Sequence, residues 1–233
     1  QLLAPDRAEG YLNNWNNPVG FDHHCAGYDN LLRSGLAGII AKAEEQLAAC
    51  TDPKKQAFYR SVVAGNRGLI SLAQRFTEEA ARLAALAADA EEKAHYEKIA
   101  ATAAFVPANP PRTFFEALCM ILFYRECVGS VEGIGISTFS QLDRMLFPYY
   151  EADLAAGRIT PEEAKQLLCD LLVYTDMRFD SANSYHETST TIELGGCAPD
   201  GTVIYNELTE MILQAVMHVR SIGTKINCRI SKR

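Results

Sequence analysis

Apolar residues recur every three or four positions from Ala26 onward, and this period predicts a long amphipathic helix as the first regular element. Gly35 and Gly38 lie within the same pattern, where a glycine costs about 1 kcal/mol relative to alanine. We therefore expect both glycines to pack closely against a neighbouring element. The positions that mark one side of this helix are Leu31, Leu32, Gly35, Leu36, Ile39, Ile40, Ala43 and Leu47.

Two further helices are predicted by the polar residues that precede them. Asp52 and Pro53 are typical of a helix start, because aspartate caps the first turn and proline needs no hydrogen bond there. This helix is expected to run to about Ala88. Asp89 and Glu92 then form a pair that resembles a capping box, which predicts the start of the next helix.

Three prolines between Val106 and Arg112 interrupt the helical pattern, so the preceding helix is expected to end near Phe105. Each proline disfavours helical geometry in the residue before it, and the segment is predicted to be extended. Thr113 and Glu116 then have capping-box spacing and predict another helix. The apolar positions behind this start are Phe114, Leu118, Ile121, Leu122 and Tyr124.

Glycine and proline divide the next stretch of the chain. Residues Gly129–Ser137 predict a connection, and a short helix after it is expected to end at Pro148. Gly157 is expected to end the following turn of helix. The sequence TPEE at 160–163 combines an N-cap, a first-turn proline and a glutamate three residues after the cap, so it predicts a new helix.

Strands are predicted only near the end of the chain. Thr188–Leu194 is rich in β-branched residues, and Lys225–Ile230 alternates like a strand. A turn at Pro199–Gly201 and a helix at Glu207–Val219 lie between them. With an irregular segment at 1–25, residues 1–233 are predicted to form a single, mostly helical domain with one or two late strands.

The composition narrows the possible partners. The chain has 233 residues, a formal net charge of −7 and no block of Lys or Arg, which argues against nucleic acid or an anionic membrane surface. No apolar run approaches the roughly 20 residues of a membrane span. Seven dispersed cysteines without a C-x-x-C pair favour a reducing cytoplasm. Because the chain begins with Gln1 and ends with Arg233, we expect a fragment of a longer protein.

The densest group of potential metal ligands or acid–base groups is DHHC at 22–25. A zinc site needs a second spaced pair of ligands, and none accompanies this group, so no metal site is expected. One of its histidines is expected either to line a pocket or to be structural. Cys119, Cys127 and Cys169 are expected to be small buried apolar residues. The pair Gly195-Gly196 lacks the spacing of a phosphate-binding loop.

Five motifs follow one another in a fixed order along the chain. They are HHCAGYDNLLRSGLAGI (His23–Ile39), a Val-Pro break followed by TFFEAL (Val106–Leu118), LDRMLFPYY (Leu142–Tyr150), DLAAGRITPEEA (Asp153–Ala164) and a strand with Gly-Gly, Asp-Gly and NEL (Ile192–Leu208). Their order resembles the N-terminal half of glycyl radical enzymes, the pyruvate formate-lyase-like family. The resemblance extends from Phe21 to Arg229.

The chain departs from the family pattern at three places. Ser140-Gln141 replaces a common Gly-Arg, Arg144 replaces a frequent Gln, and Asp22 replaces the Gly before the family's histidine. These departures concern the substrate rather than the fold. The resemblance implies a helix-rich α/β fold that is a part, about half, of a ten-stranded α/β barrel.

The resemblance also implies a function. Such enzymes include formate C-acetyltransferase, dehydratases and C–X lyases, and they perform anaerobic radical chemistry. A radical S-adenosylmethionine activating enzyme places a radical on a glycine, from which it passes to a cysteine. Both residues are expected beyond residue 233, so the fragment holds no catalytic residue and is expected to be inactive alone. The full-length parent is expected to be a cytoplasmic homodimer.

The family's substrate contacts correspond here to Phe21, His23, Ser189 and Thr191. Small hydroxyl residues on the strand suggest a small polar metabolite, and a dehydratase or C–X lyase rather than an acetyl transferase. Two alternatives stay open. The chain could be a non-catalytic binding or dimerisation module that keeps the family's helical shell, or an unrelated helical domain whose motifs coincide by chance.

Overall fold

The computed structural model describes residues 24–132, 137–177, 190–220 and 224–229. The regular elements within these ranges alternate between runs of helices and single short strands. In chain order they are β1 (His24–Cys25), α1 (Tyr28–Ala49), α2 (Pro53–Leu86), α3 (Ala90–Phe105), α4 (Phe114–Glu132), β2 (Ser137–Gln141), α5 (Leu142–Ala155), α6 (Pro161–Met177), β3 (Thr190–Gly195), α7 (Glu207–Val219) and β4 (Thr224–Arg229).

The four strands form one parallel sheet in the order β1-β2-β3-β4. Parallel neighbours require long crossover connections, and the helices supply them. The late strands predicted from sequence are confirmed as β3 and β4, although residues 188, 189 and 230 lie outside the described residues. The sequence does not predict β1 or β2, because a two-residue strand and a five-residue strand carry little signal of their own.

Helices cover one face of this sheet. Phe139 of β2 and Ile192 and Leu194 of β3 are fully or almost fully buried in the same apolar cluster as the helices. The sheet therefore has one apolar face that faces the core. The largest buried helical side chains are Tyr28, Leu31, Leu36, Phe114, Met120, Ile121, Leu142, Leu146, Tyr150, Leu168 and Leu172.

The predicted helix starts are confirmed by their hydrogen bonds. The Asp52 side chain accepts two backbone N–H bonds in the first turn of α2. Asp89 Oδ1 accepts the Glu92 N–H at 2.8 Å. At α6 the box is reciprocal: Thr160 Oγ1 accepts the Glu163 N–H at 3.2 Å, and the Glu163 carboxylate accepts the Thr160 N–H at 2.8 Å. These starts are local and could be read from spacing alone.

Helix α1 is interrupted at Gly35, where φ is 61° and ψ is 170°. Almost only glycine adopts this conformation. The next two N–H groups, of Leu36 and Ala37, donate to the carbonyls of Pro107 and Ala108 at 2.9 Å each. A Cβ atom at Gly35 would overlap the Ala108 carbonyl oxygen. The predicted close packing is therefore confirmed at Gly35, but the predicted continuous helix is wrong there.

Three local predictions are wrong. A Cβ at Gly38 would meet only Ser34 of its own helix within 4 Å, so no neighbouring element explains this glycine. The segment that was expected to be extended begins with a turn at 106–108 after α3 ends at Phe105. Helix α4 continues to Glu132, through part of the predicted connection.

Helix α5 also passes through the position where the sequence predicts its end. It continues from Pro148 to Ala155, and Tyr150 and Asp153 beyond the proline are buried. Burial of these two side chains compensates for the helical hydrogen bond that a proline cannot make. Gly157 ends the helix as predicted, with φ 64° and its N–H donating to the Leu154 carbonyl at 3.0 Å. None of the helices described is both long and apolar enough to cross a membrane.

Candidate functional site

The face of the sheet opposite the helices carries polar side chains on β3 and β4. Successive side chains of a strand point to opposite faces. Ile192 and Leu194 lie in the core, so Thr191 and Glu193 project to the other side. On β4, the Thr224 hydroxyl lies 3.3 Å from the Thr175 hydroxyl of α6, so Thr224 is on the helix side. The alternate residues Lys225, Asn227 and Arg229 therefore project to the polar side.

The strand register joins these positions into one surface. Thr191 is aligned with Lys225 and Glu193 with Asn227, so paired side chains share a face. Thr138 of β2 is aligned with Thr191, and Cys25 of β1 is aligned with Thr138. We call this surface the polar face. Its members are Cys25, Thr138, Thr191, Glu193, Lys225, Asn227 and Arg229.

An ion pair marks the carboxyl end of the polar face. Arg229 Nη2 lies 2.7 Å from Glu193 Oε2, and the two side chains are 55% and 27% exposed. Arg229 is aligned with Gly195, so the pair is diagonal across adjacent strands, a geometry that long side chains reach easily. A Cβ at Gly196 would approach the Arg229 side chain at 3.6 Å. That distance is an ordinary van der Waals contact, so it is the positive φ of 102° at Gly196, and not lack of space, that favours glycine in this turn.

A buried carboxylate fixes this end of the sheet from the helix side. Asp143 is 0% exposed, and its Oδ2 accepts the Gly195 N–H at 2.8 Å and the Thr209 hydroxyl at 2.7 Å. Its Oδ1 accepts the Arg144 N–H at 2.8 Å. A carboxylate with several donors tolerates burial because its lone pairs are satisfied. One side chain therefore connects the start of α5, the end of β3 and the first turn of α7.

A second buried carboxylate has the same role inside the helical layer. Asp153 is 3% exposed; its Oδ2 accepts the Phe114 N–H at 2.8 Å, and its Oδ1 accepts a bond from Arg158 Nε at 2.8 Å. It connects the start of α4 to α5. Nearby, the Tyr150 hydroxyl donates to Glu207 Oε1 at 2.8 Å, and burial raises the pKa of Tyr150 to about 12.

The sequence-predicted substrate contacts are only partly described. Thr191 lies on the polar face and is 5% exposed. Phe21, His23 and Ser189 lie outside the described residues. Sequence analysis misses Glu193 and Arg229. The signal that could have found them is the alternation in TTIELG and TKINCR, taken together with a parallel register that sequence does not supply.

The cysteines divide into two groups. Cys127 and Cys169 are buried, as predicted. Cys119 is half-buried, and burial raises the pKa of its thiol to about 11, so it is neutral and unreactive near pH 7.

Within the described ranges, no group of three or more His, Cys, Asp or Glu side chains could hold a metal ion. His24 and Cys25 form β1.

A family model described as pyruvate formate lyase-like matches residues 7–233. The chain belongs to this family of glycyl radical enzymes. It is 30% identical over 227 residues to the isethionate sulfite-lyase of Nitratidesulfovibrio vulgaris, covering 88% of this chain and 27% of the relative. It is 29% identical over 212 residues to the 4-hydroxyphenylacetate decarboxylase glycyl radical subunit of Clostridioides difficile, which covers 82% of this chain and 23% of that subunit.

Solved structures agree with this assignment. A glycyl radical enzyme from Archaeoglobus fulgidus matches with a TM-score of 0.82 and 26% identity, over 91% of this chain and 29% of that one. The B12-independent glycerol dehydratase from Clostridium butyricum, with glycerol bound, gives the same TM-score and identity over 91% and 28%. The predicted helix-rich α/β fold, as part of a glycyl radical enzyme barrel, is confirmed. The chain spans about a quarter of the length of the curated relatives it matches.

The structure assigns a physical role to several residues of the motifs shared with the pyruvate formate lyase-like family. Asp143 of the LD motif holds Gly195 of the Gly-Gly motif. Asp153 of the DL motif caps the helix of the TFFEAL motif. Gly35 of the first motif contacts the Val-Pro break. Asp143, Asp153 and Gly35 therefore join one motif to another and hold the fold together.

Proposed function

We propose that this chain is part of a glycyl radical enzyme that acts anaerobically on a small polar metabolite, and that the polar face lines its substrate site. The observation that carries the proposal is a parallel sheet with one polar face. Helices usually cover both faces of parallel sheets, and the strands then read as nearly continuous apolar runs. Here Thr191, Glu193 and Asn227 interrupt that pattern on the face opposite the apolar core.

The polar face offers groups that recognise polar substrates. Thr191 supplies a hydroxyl, Asn227 an amide, and the Glu193–Arg229 pair supplies an acceptor and a charged donor. We infer that Thr191 contacts the substrate together with Phe21, His23 and Ser189. Small hydroxyl side chains leave room for a polar substituent and can hydrogen-bond to it, which favours a dehydratase or C–X lyase over an acyltransferase.

The names of the relatives support the same reaction class. They include an isethionate sulfite-lyase, an aryl acetate decarboxylase subunit and a glycerol dehydratase, none of which is named as an acyltransferase. In this proposal the full-length protein supplies the radical glycine and the catalytic cysteine beyond residue 233. A radical S-adenosylmethionine enzyme activates it, and the enzyme is a cytoplasmic homodimer.

Electron paramagnetic resonance of the full-length protein tests the proposal. After anaerobic incubation with an activating enzyme and S-adenosylmethionine, we expect a glycyl radical doublet that disappears on exposure to air. A panel of small diols, hydroxy acids and hydroxysulfonates, offered separately, should then identify the substrate by product formation. A full-length protein that gives no radical signal after activation, beside a relative that does under the same conditions, would refute the enzymatic proposal.

A second candidate is a non-catalytic binding or dimerisation module. It is favoured by one observation: a single apolar cluster includes residues of the helices and of the sheet within the described part of the chain. Two results together would make this candidate replace the first. The 233-residue chain would be soluble by itself and melt cooperatively, and the cell would make no longer polypeptide that contains it. An insoluble isolated chain would count against it.

A further inference from the structure

An apolar pocket lies in the helical layer, away from the polar face. It lies among α2, α3, α4 and the turn after α3, is open to solvent on one side, where Phe76 is 53% exposed, and has a volume of about 140 Å³. We call it the shell pocket. The residues that the argument uses are Phe76 of α2, Ala103 of α3, and Phe115, Cys119, Met120 and Phe123 of α4.

The walls of the shell pocket carry no charged side chain. Phe76 and Phe123 form an edge-to-face pair with ring centroids 6.1 Å apart and an interplanar angle of 86°. Burial raises the pKa of the Cys119 thiol to about 11, so this wall is neutral as well. The Lys98 ammonium lies 3.8 Å from the centroid of the Phe115 ring, where it makes a cation–π contact.

The volume and the lining determine what can occupy this pocket. A closed cavity of roughly 150 Å³ lined by apolar side chains holds one benzene molecule, so the shell pocket, although open on one side, has room for a ring of that size. Aromatic rings offer edges and faces to another ring, and sulfur atoms contact ring edges favourably. A charged ligand would lose its hydration in this pocket, and the nearest charge, the Lys98 ammonium on the Phe115 ring, does not line it.

We propose that the shell pocket is a binding site for one small, uncharged aromatic molecule of about the size of benzene or toluene. The site is separate from the polar face and needs neither the radical nor the activating enzyme. Nothing in it resembles a catalytic arrangement, because its walls are apolar apart from the side chains of Thr102 and Cys119, and burial keeps that thiol protonated. It therefore binds a ligand without transforming it.

The test uses the full-length protein that contains this chain, in its unactivated form, so the result does not depend on enzymatic activity. Toluene is titrated and followed by ligand-observed NMR. We expect saturable binding with a dissociation constant of about 1 mM or tighter. Benzoate, which has a similar ring but a charge, should bind at least about 10-fold more weakly, because its carboxylate would be desolvated.

Two alanines on α3 provide a matched pair of variants. Ala103→Leu places extra methyl groups in the pocket and should weaken toluene binding at least about 10-fold, since the volume is filled. Ala104→Leu makes the same change at an exposed position one residue away and should leave binding unchanged. If Ala103→Leu does not fold, Cys119→Leu fills the pocket from the opposite helix and serves instead.

The possible outcomes decide the proposal. Saturable toluene binding that Ala103→Leu or Cys119→Leu removes and Ala104→Leu keeps would support it. Absence of binding in the full-length protein up to about 10 mM would overturn it, and would indicate that another segment of that protein covers the pocket. Ala104→Leu losing toluene binding as much as Ala103→Leu would also overturn it, and so would benzoate binding as tightly as toluene. In either case binding would not depend on this pocket.

Discussion

The two faces of the sheet contrast in how their polar groups are used. On the helix side, Asp143 is fully buried and its carboxylate accepts bonds from a strand end and two helix starts. On the polar face, Glu193 and Arg229 form an ion pair that remains partly exposed. The Asp143 carboxylate and the Glu193–Arg229 ion pair both make short polar contacts. Because only Asp143 is fully buried, its contacts stabilise the fold more than the partly exposed ion pair does.

This difference separates residues that specify the fold from residues that are available for function. A buried carboxylate must be satisfied by fixed donors, so it constrains the elements that carry those donors. A half-exposed ion pair contributes little stability and can be rearranged at small cost. Asp143 and Asp153, which lie in the family motifs, are on the first side, and Thr191 and Glu193 of the polar face are on the second. Four tests, some with a matched control variant and ordered from the largest expected effect to the smallest, examine this division.

Gly35→Ala should have the largest effect. The new Cβ would overlap the Ala108 carbonyl oxygen, and alanine would be forced into a conformation that costs about 1–3 kcal/mol by itself. We expect the free energy of unfolding to fall by about 4 kcal/mol or the chain to stop folding. Urea denaturation followed by circular dichroism measures this change.

Gly157→Ala is the matched control for that substitution. Gly157 also has a positive φ of 64°, but a Cβ there would meet nothing within 4 Å. Its cost should be limited to about 1–2 kcal/mol of backbone strain. If the two variants lose equal stability, the contact between α1 and the segment after α3 is not what requires Gly35.

Asp143→Asn should cost about 3 kcal/mol of unfolding free energy, because an amide group cannot accept from all the donors that face the carboxylate. The same change at Asp170, which is exposed and accepts only a Gln166 side-chain bond at 2.8 Å, should stay within about 0.5 kcal/mol. Chemical denaturation of both variants compares them directly. A loss below about 1 kcal/mol at Asp143 would contradict its role as a junction.

Thr191→Val and Thr224→Val compare the two faces with one chemical change. Thr224 lies on the helix side of β4, where its hydroxyl contacts Thr175, so its replacement should cost about 1 kcal/mol of stability. Thr191→Val should instead lower kcat/KM of the activated full-length enzyme about 10-fold, as expected for one lost substrate hydrogen bond. Thermal unfolding and steady-state kinetics separate the two effects. If Thr224→Val impairs catalysis as much as Thr191→Val, the polar face is not the substrate side.

Glu193→Gln should have the smallest effect on stability. The ion pair with Arg229 is partly exposed, and such pairs contribute about 0–1 kcal/mol. We expect the free energy of unfolding to change by no more than that, with a still smaller difference at high salt. A loss above about 2 kcal/mol in urea denaturation would mean that this end of the polar face is structural.

Local signals were sufficient for the helix starts. Asp52, Asp89 and Thr160 cap the helices that their spacing predicts, because a cap involves only a few neighbouring residues. The same local reasoning gave a wrong prediction at Pro148. A proline is expected to end a helix, but burial of Tyr150 and Asp153 keeps α5 intact beyond it. The candidate site was less accessible, and of four proposed substrate contacts only Thr191 lies among the described residues.

The sequence by itself determined the family, the helix starts and the late strands, since motif order, caps and side-chain alternation are all written along the chain. Only the tertiary structure decided that β1 and β2 are strands, because a short strand is stabilised by its partners rather than by its own residues. It also decided that Thr191, Glu193, Asn227 and Arg229 share one face. That arrangement depends on the register between β3 and β4, and register is a property of packing between distant segments.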